Sequence, residues 1–298
     1  MQKPTNRILS ALLVLVMVLS MLPATVFATS ETDVLEGWNL ALGENIGVNF
    51  HLNSADYTVT ITVNGVEVNP TISDKVVTVN VAAAQMTDTI GLTVKSGEET
   101  VHTGEYSVRQ YAETILNGEY DAEVKEMVKE MLNYGAAAQT YFNYNLDSLA
   151  NKDYALETAA TVTDEVPAIS AEGSVEGVSL YGMSLVFQSK TAVRFYFTGD
   201  VSGHVFKANG TALTPISKNS MYYVEVGNIN PQDLDKVVTV TVDDTLSVSY
   251  SPLNYIVRKY NNSSSSDSLK ALVQAMYGYH LEALDYQKYL EIIQLGTL

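Results

Sequence analysis

Cysteine is absent from this 298-residue chain. Its absence excludes disulfides, thiolate metal ligands, a cysteine nucleophile and a lipid anchor through a lipidated cysteine. Stability must therefore come from buried cores. Cations are scarce as well, with 17 Lys and Arg against 34 Asp and Glu. Phosphate backbones and anionic membrane surfaces need clustered cations, so nucleic acid is not an expected partner. The acid excess reads as a surface that keeps an exported chain soluble. Histidine occurs only as His51, His102, His204 and His280, never in HxH, HExxH or HxxxH spacing. No metal or cofactor site is expected from such a set.

Long apolar runs are also missing beyond the first, at residues 8–22, which follows Lys3 and Arg7 and precedes Val26-Phe27-Ala28. This pattern reads as a secretory signal over residues 1–28, cut after Ala28. A run of about 15 residues is short for a membrane span, which needs about 20. Losing Lys3 and Arg7 leaves 15 basic against 34 acidic residues, a formal charge of −19. No nucleophile elbow is present: Gly182-Met183-Ser184 lacks the second glycine of GxSxG and falls where a strand is expected. Asp233-Leu234-Asp235 is not a calcium loop and reads equally well as a strand edge.

What the chain does contain is one unit written twice. Shifting it by 145 residues lays WNLALGENIGVNFHL (38–52) on MSLVFQSKTAVRFYF (183–197). The same shift lays residues 124–144 on 269–289, matching Met131 with Met276, Tyr134 with Tyr279, Ala138 with Ala283, and Tyr141 with Tyr286. Each copy reads as strands first and helices last. Alternation at Trp38, Leu40, Leu42, then Val48, Phe50, Leu52, then Val59, Ile61, Val63 marks half-buried strands, and Asn64-Gly65 marks a hairpin. Trp38 shares the phase of Leu40 and Leu42, which points it into the core. Six or seven such strands per copy suggest an immunoglobulin-like β-sandwich. Helices are expected from Ser107 to Leu116 and, after Asn117-Gly118, from an Asp121 N-cap; in the second copy Asp267 or Ser268 is the expected cap. Met127, Met131, Tyr134, Ala138 and Tyr141 form one helical stripe, repeated by Leu272, Met276, Tyr279, Ala283 and Tyr286.

The expected class is α+β: two tandem immunoglobulin-like sandwich units, each followed by a C-terminal helical pair. The units span residues 34–150 and 178–298, joined by an acidic, flexible linker at 151–177.

YSVRQYAETIL (106–116), MLNYGAAAQTYFNYN (131–145) and LDSLAN (146–151) together resemble tandem strand-rich and tyrosine-rich helical units of uncharacterised secreted and cell-surface proteins of Gram-positive gut and rumen anaerobes. The resemblance implies export and a surface role. It brings no sortase motif, wall-binding repeat or dockerin-like loop after Leu298, and it carries over no catalytic residue.

The function these observations favour is a non-enzymatic, exported binding or surface-interaction protein whose ligand is a glycan, the cell wall or another protein. Outward-phase residues of the second strand differ between copies, Asn49 and His51 against Arg194 and Tyr196. Arg194, Tyr196, Tyr222 and Tyr57 are the candidate ligand contacts. Alternatives are an extracellular carbohydrate-active enzyme, whose two carboxylates would stand about 5 to 10 Å apart, and a structural spacer with no ligand. No residue set points to a reaction.

Overall fold

The computed structural model describes residues 33–163 and 165–296; the signal reading for residues 1–28 lies outside them. The class is α+β, with four antiparallel sheets and four helices among the described residues. In the first half, β1 (Leu35–Leu42), β2 (Ile46–Leu52), β3 (Thr58–Val63), β4 (Val66–Val68), β5 (Thr71–Ser73), β6 (Val76–Val81), β7 (Ile90–Ser96) and β8 (Glu99–Tyr106) form two sheets, β1-β2-β6-β5 and β4-β3-β7-β8. In the second half, β9 (Ser170–Gly173), β10 (Val178–Val186), β11 (Ala192–Gly199), β12 (Phe206–Ala208), β13 (Thr211–Leu213), β14 (Ile216–Lys218), β15 (Met221–Val226), β16 (Val238–Val242) and β17 (Leu246–Tyr250) follow. They pair as β10-β11-β15-β14 and β13-β12-β16-β17-β9. Apart from β9 the two orders are the same.

The duplication extends to register. Trp38 pairs with Phe50 as Met183 pairs with Phe195, and each first strand is irregular at one matching place, between Leu35 and Gly37 and between Leu180 and Gly182. Asn64 and Gly65 both take positive φ in the expected hairpin, and Asn209 and Gly210 do the same in its counterpart. Trp38 is buried against Phe50, Tyr106 and Tyr111. Eight strands per copy exceed the six or seven expected, because the three-residue β4 and β5 are too short to show a period.

The helices are α1 (Val108–Asn117), α2 (Ala122–Phe142), α3 (Pro252–Asn261) and α4 (Asp267–Gly296). Ser107 caps α1 by accepting the Gln110 N–H. Asp121 stands at the N-cap of α2 but makes no side-chain cap bond; its carboxylate instead accepts the Tyr289 hydroxyl of α4. For α4 the cap bond goes to Ser266, whose Oγ accepts the Leu269 N–H, rather than to Asp267 or Ser268.

The helices end differently, and single residues account for it. Asn143 closes α2 in the left-handed region, at φ 54°, a conformation Asn tolerates. The chain then folds back, with the Ala150 N–H on Gln139 Oε1 at 2.8 Å and Gln139 Nε2 on the Ser148 carbonyl at 2.9 Å. The matching residues in α4 are Lys288 and Leu284, which supply neither feature, and α4 runs on to Gly296.

The segment expected as a flexible linker is docked at several points. Gln274 donates to the Ala160 carbonyl and Asn254 to the Pro167 carbonyl, both at 2.8 Å, and Val162 is buried. Residues 170–173 become β9 on the edge of β17. Backbone pairing drives this, so small exposed side chains give no alternation to read.

Helices α2 and α4 cross antiparallel, with Asp121 near Tyr289 at one end and Tyr134 stacked on Tyr279, ring centroids 6.0 Å apart, near the middle. Near the middle of the seam counterparts come together: Tyr134 stacks on Tyr279, and Leu42 and Phe187 line one cavity, an arrangement like that at the axis of an isologous pair. This cavity of about 30 Å³ lies between the halves, room for about one water. The β1–β2 turn fastens the edge of this seam, its Glu44 carbonyl accepting the Thr191 N–H at 2.6 Å and its carboxylate the Asn228 N–H at 2.7 Å.

Candidate binding cleft

Val193, Phe195 and Phe197 of β11 are buried, so alternation turns Arg194 and Tyr196 outward. Opposite them on β15 stand Glu225 and Tyr223. Arg194 Nε lies 2.7 Å from Glu225 Oε2, and Lys190 Nζ lies 3.0 Å from its other oxygen. The Arg194 guanidinium sits 4.5 Å above the Tyr223 ring, and Tyr196 packs beside that ring at 5.8 Å. Partial burial alone would raise the Glu225 carboxyl, but the two cations outweigh it and hold Glu225 below its usual value. The group is thus a locked ion triad that fixes the Arg194 plane beside Tyr196, whose hydroxyl accepts from Ser184 Oγ at 3.4 Å.

The second wall comes from the other half. The end of α2 brings Tyr141 and Phe142 over this face, with Tyr141 at 5.8 Å and Phe142 at 6.1 Å from the Phe187 ring. Between the walls is an open cleft of about 190 Å³, lined by Tyr141, Phe142, Ser184, Gln188, Arg194 and Tyr196. Its surfaces are aromatic rings, a hydroxyl, an amide and an arginine already paired. That chemistry suits stacking on flat ligands and exchanging hydrogen bonds with them.

Of the four residues singled out from sequence, Arg194 and Tyr196 meet in the cleft. Tyr222 does not. It pairs with Phe197, on the inward face, and packs against the core. Its neighbour Tyr223 is the outward residue, and the fully buried Val224 held the clue to that phase. Tyr57 belongs to the first half, where its hydroxyl donates to Asn53. Sequence reasoning missed Tyr223, Glu225 and Lys190, and had no means to place Tyr141 and Phe142 there, since they arrive only through the docking of α2 and α4.

The equivalent face of the first half is built differently. Thr78 donates to Asn49 at 2.7 Å, Asn49 to Asn39 at 2.9 Å, and Asn39 meets His51 at 3.1 Å. Asn39 and Asn49 are buried, so Asn49 is not the exposed residue its phase suggested. This ladder satisfies its own polar groups and leaves little for a ligand.

The remaining candidates have structural roles. His280 is buried, and its Nδ1 donates to the Pro231 carbonyl at 2.7 Å; burial lowers its pKa. Its counterpart Gly135 has no space for a side chain, because Met86, Ala150 and the Ala83 carbonyl crowd it. The fold-back of Ala150 fills in one copy what an imidazole fills in the other. His204 pairs with Asp243 at 2.6 Å. Asp233 closes a short 3₁₀ turn and pairs with Lys236, so the strand-edge reading of 233–235 is corrected. Among the described residues no group of three or more His, Asp or Glu is placed to hold a metal ion, and no helix is long and apolar enough to cross a membrane.

Comparison with protein-family models and with curated proteins finds no match for this chain.

Proposed function

We propose that the protein is an exported, non-enzymatic binding protein that holds a sugar ring of a glycan in the cleft between Tyr196 and the end of α2. The observation that carries this reading is the cleft itself: open, about 190 Å³, walled by aromatic rings from both halves, its one arginine ion-paired. Aromatic faces stack on the apolar faces of flat ligands while their rims supply hydrogen bonds. A volume this small takes one ring of an extended chain. A neutral sugar fits better than an anionic one, given the paired arginine and a formal charge of −19 without residues 1–28.

Each unit is read as an immunoglobulin-like sandwich. In support, β1-β2-β6-β5 facing β4-β3-β7-β8 corresponds to the A-B-E-D and C′-C-F-G order of such domains. Export rests on the signal pattern of residues 1–28 and on the resemblance to secreted and surface proteins.

A glycan array probed with the chain lacking residues 1–28, followed by a reducing-sugar assay on every hit, tests the proposal. Binding without sugar release is the expected result. Sugar release would replace it with an enzymatic reading, and the absence of any hit would favour a spacer.

A further inference from the structure

Glu130 lies on the side of α2 that faces α4, with 8 % of its surface exposed. Both carboxylate oxygens press on Gly278 of α4, so closely that a methyl group there would sit 2.7 Å from each. Among the described residues Oε2 has no hydrogen-bond partner. From its own helix Glu130 is faced by Glu126 and Asn133, and from α4 by Glu282. Lys129, next to it in the chain, is engaged elsewhere, with Glu126 at 2.7 Å.

A charged carboxylate in that place has no counter-ion and an unfilled acceptor, whereas a protonated one carries no charge to desolvate. We propose that Glu130 is a proton-operated latch between the two halves: protonated, it lets α2 and α4 dock, and ionised, it forces them apart and dismantles the cleft. Burial first, then the like charge of Glu282, and last Glu126 push its carboxyl up to about 7, against the opposing hydrogen bond from Asn133. Glu282 is itself raised by burial and by Asp285 and Glu126, in the same direction.

The sign follows from linkage. Undocked, Glu130 returns to its ordinary value of 4.5, so the docked form binds the proton more tightly. Docking is strongest below pH 4.5 and is lost as pH rises through about 7. Between pH 5 and pH 8 those two values give a docking constant about 70-fold weaker at the higher pH. The latch stands on the α2–α4 contact alone; only its consequence for ligand affinity rests on the binding function proposed above.

The absence of native cysteine supplies the test. Met276 is 3 % exposed and lines the cavity between the halves, so a thiol introduced by Met276→Cys in the full chain reacts only when they part. Labelling rates are corrected at each pH with a small reference thiol. The expected rise is about 70-fold from pH 5 to pH 8, flattened in Glu130→Gln, and in Glu282→Gln smaller and moved to lower pH, because removing the like charge lowers the docked Glu130 value.

 A wild-type rate that stays flat, or one that rises equally in Glu130→Gln, overturns the latch. Titrating a glycan-array hit in parallel separates the two proposals. Labelling that responds to pH while no glycan binds leaves the latch standing and removes the binding function. Binding with pH-independent labelling does the reverse.

Discussion

Tyr196 and Arg194 differ in what they can contribute. Arg194 is tied to Glu225 and stacked on Tyr223, so its role is to stiffen one wall, while Tyr196 offers a ring edge to the cleft. Tyr196→Ala is therefore expected to weaken glycan binding about tenfold, the upper range of one aromatic contact, with little change in the thermal midpoint. Calorimetric titration beside a melting curve checks both halves of that statement. Buried residues behave otherwise. His280 is held neutral, with its pKa lowered by burial, so the stability it supports is present above its ordinary 6.5 and is lost as pH falls below that value. Chemical denaturation from pH 7 to pH 5 should show a fall that is reduced in His280→Ala, a variant already weaker at pH 7 by about 1–3 kcal/mol because the Pro231 carbonyl loses its donor.

Among the elements, α2 and α4 matter most, because each both closes its own sandwich and meets the other. Tyr134 is buried, stacked on Tyr279, with its hydroxyl bonded to Thr191 of the second half. Tyr134→Ala should cost about 2–5 kcal/mol, as large-to-small core changes do, and the loss should appear in the melting of both halves rather than one. Much of this was legible in the sequence. The helical stripes, the Asn64-Gly65 hairpin, the core phase of Trp38 and the duplication itself all follow from periodicity and self-similarity. Other features were not, for physical reasons. A stripe of Met, Tyr and Ala looks the same whether it packs on a sheet or on another helix. Strands of three residues carry no period, and β9 is held by backbone bonds that side chains do not report. Tyr222 and Tyr223 are adjacent, so choosing between them required the phase of the buried Val224.

On the scale of the whole molecule, the chain resembles a homodimer joined into one polypeptide: Tyr134 meets its counterpart Tyr279 at the middle of the seam, and the copies diverge at their outer faces. One copy closes that face with an amide ladder, and the other opens it into a cleft. The connecting segment is fastened through Ala160, Pro167 and β9. Limited proteolysis at pH 5 is expected to spare residues 160–173, and rapid cutting there would show that the segment is loose.

In the proposed binding mode one ligand touches both halves. Hydrogen exchange read by mass spectrometry, with and without a saturating glycan-array hit, tests it most directly. Added protection at the end of α2, around Tyr141 and Phe142, together with the strands that carry Ser184 and Tyr196, is the predicted result. Protection confined to one half, or falling outside both walls, would contradict it.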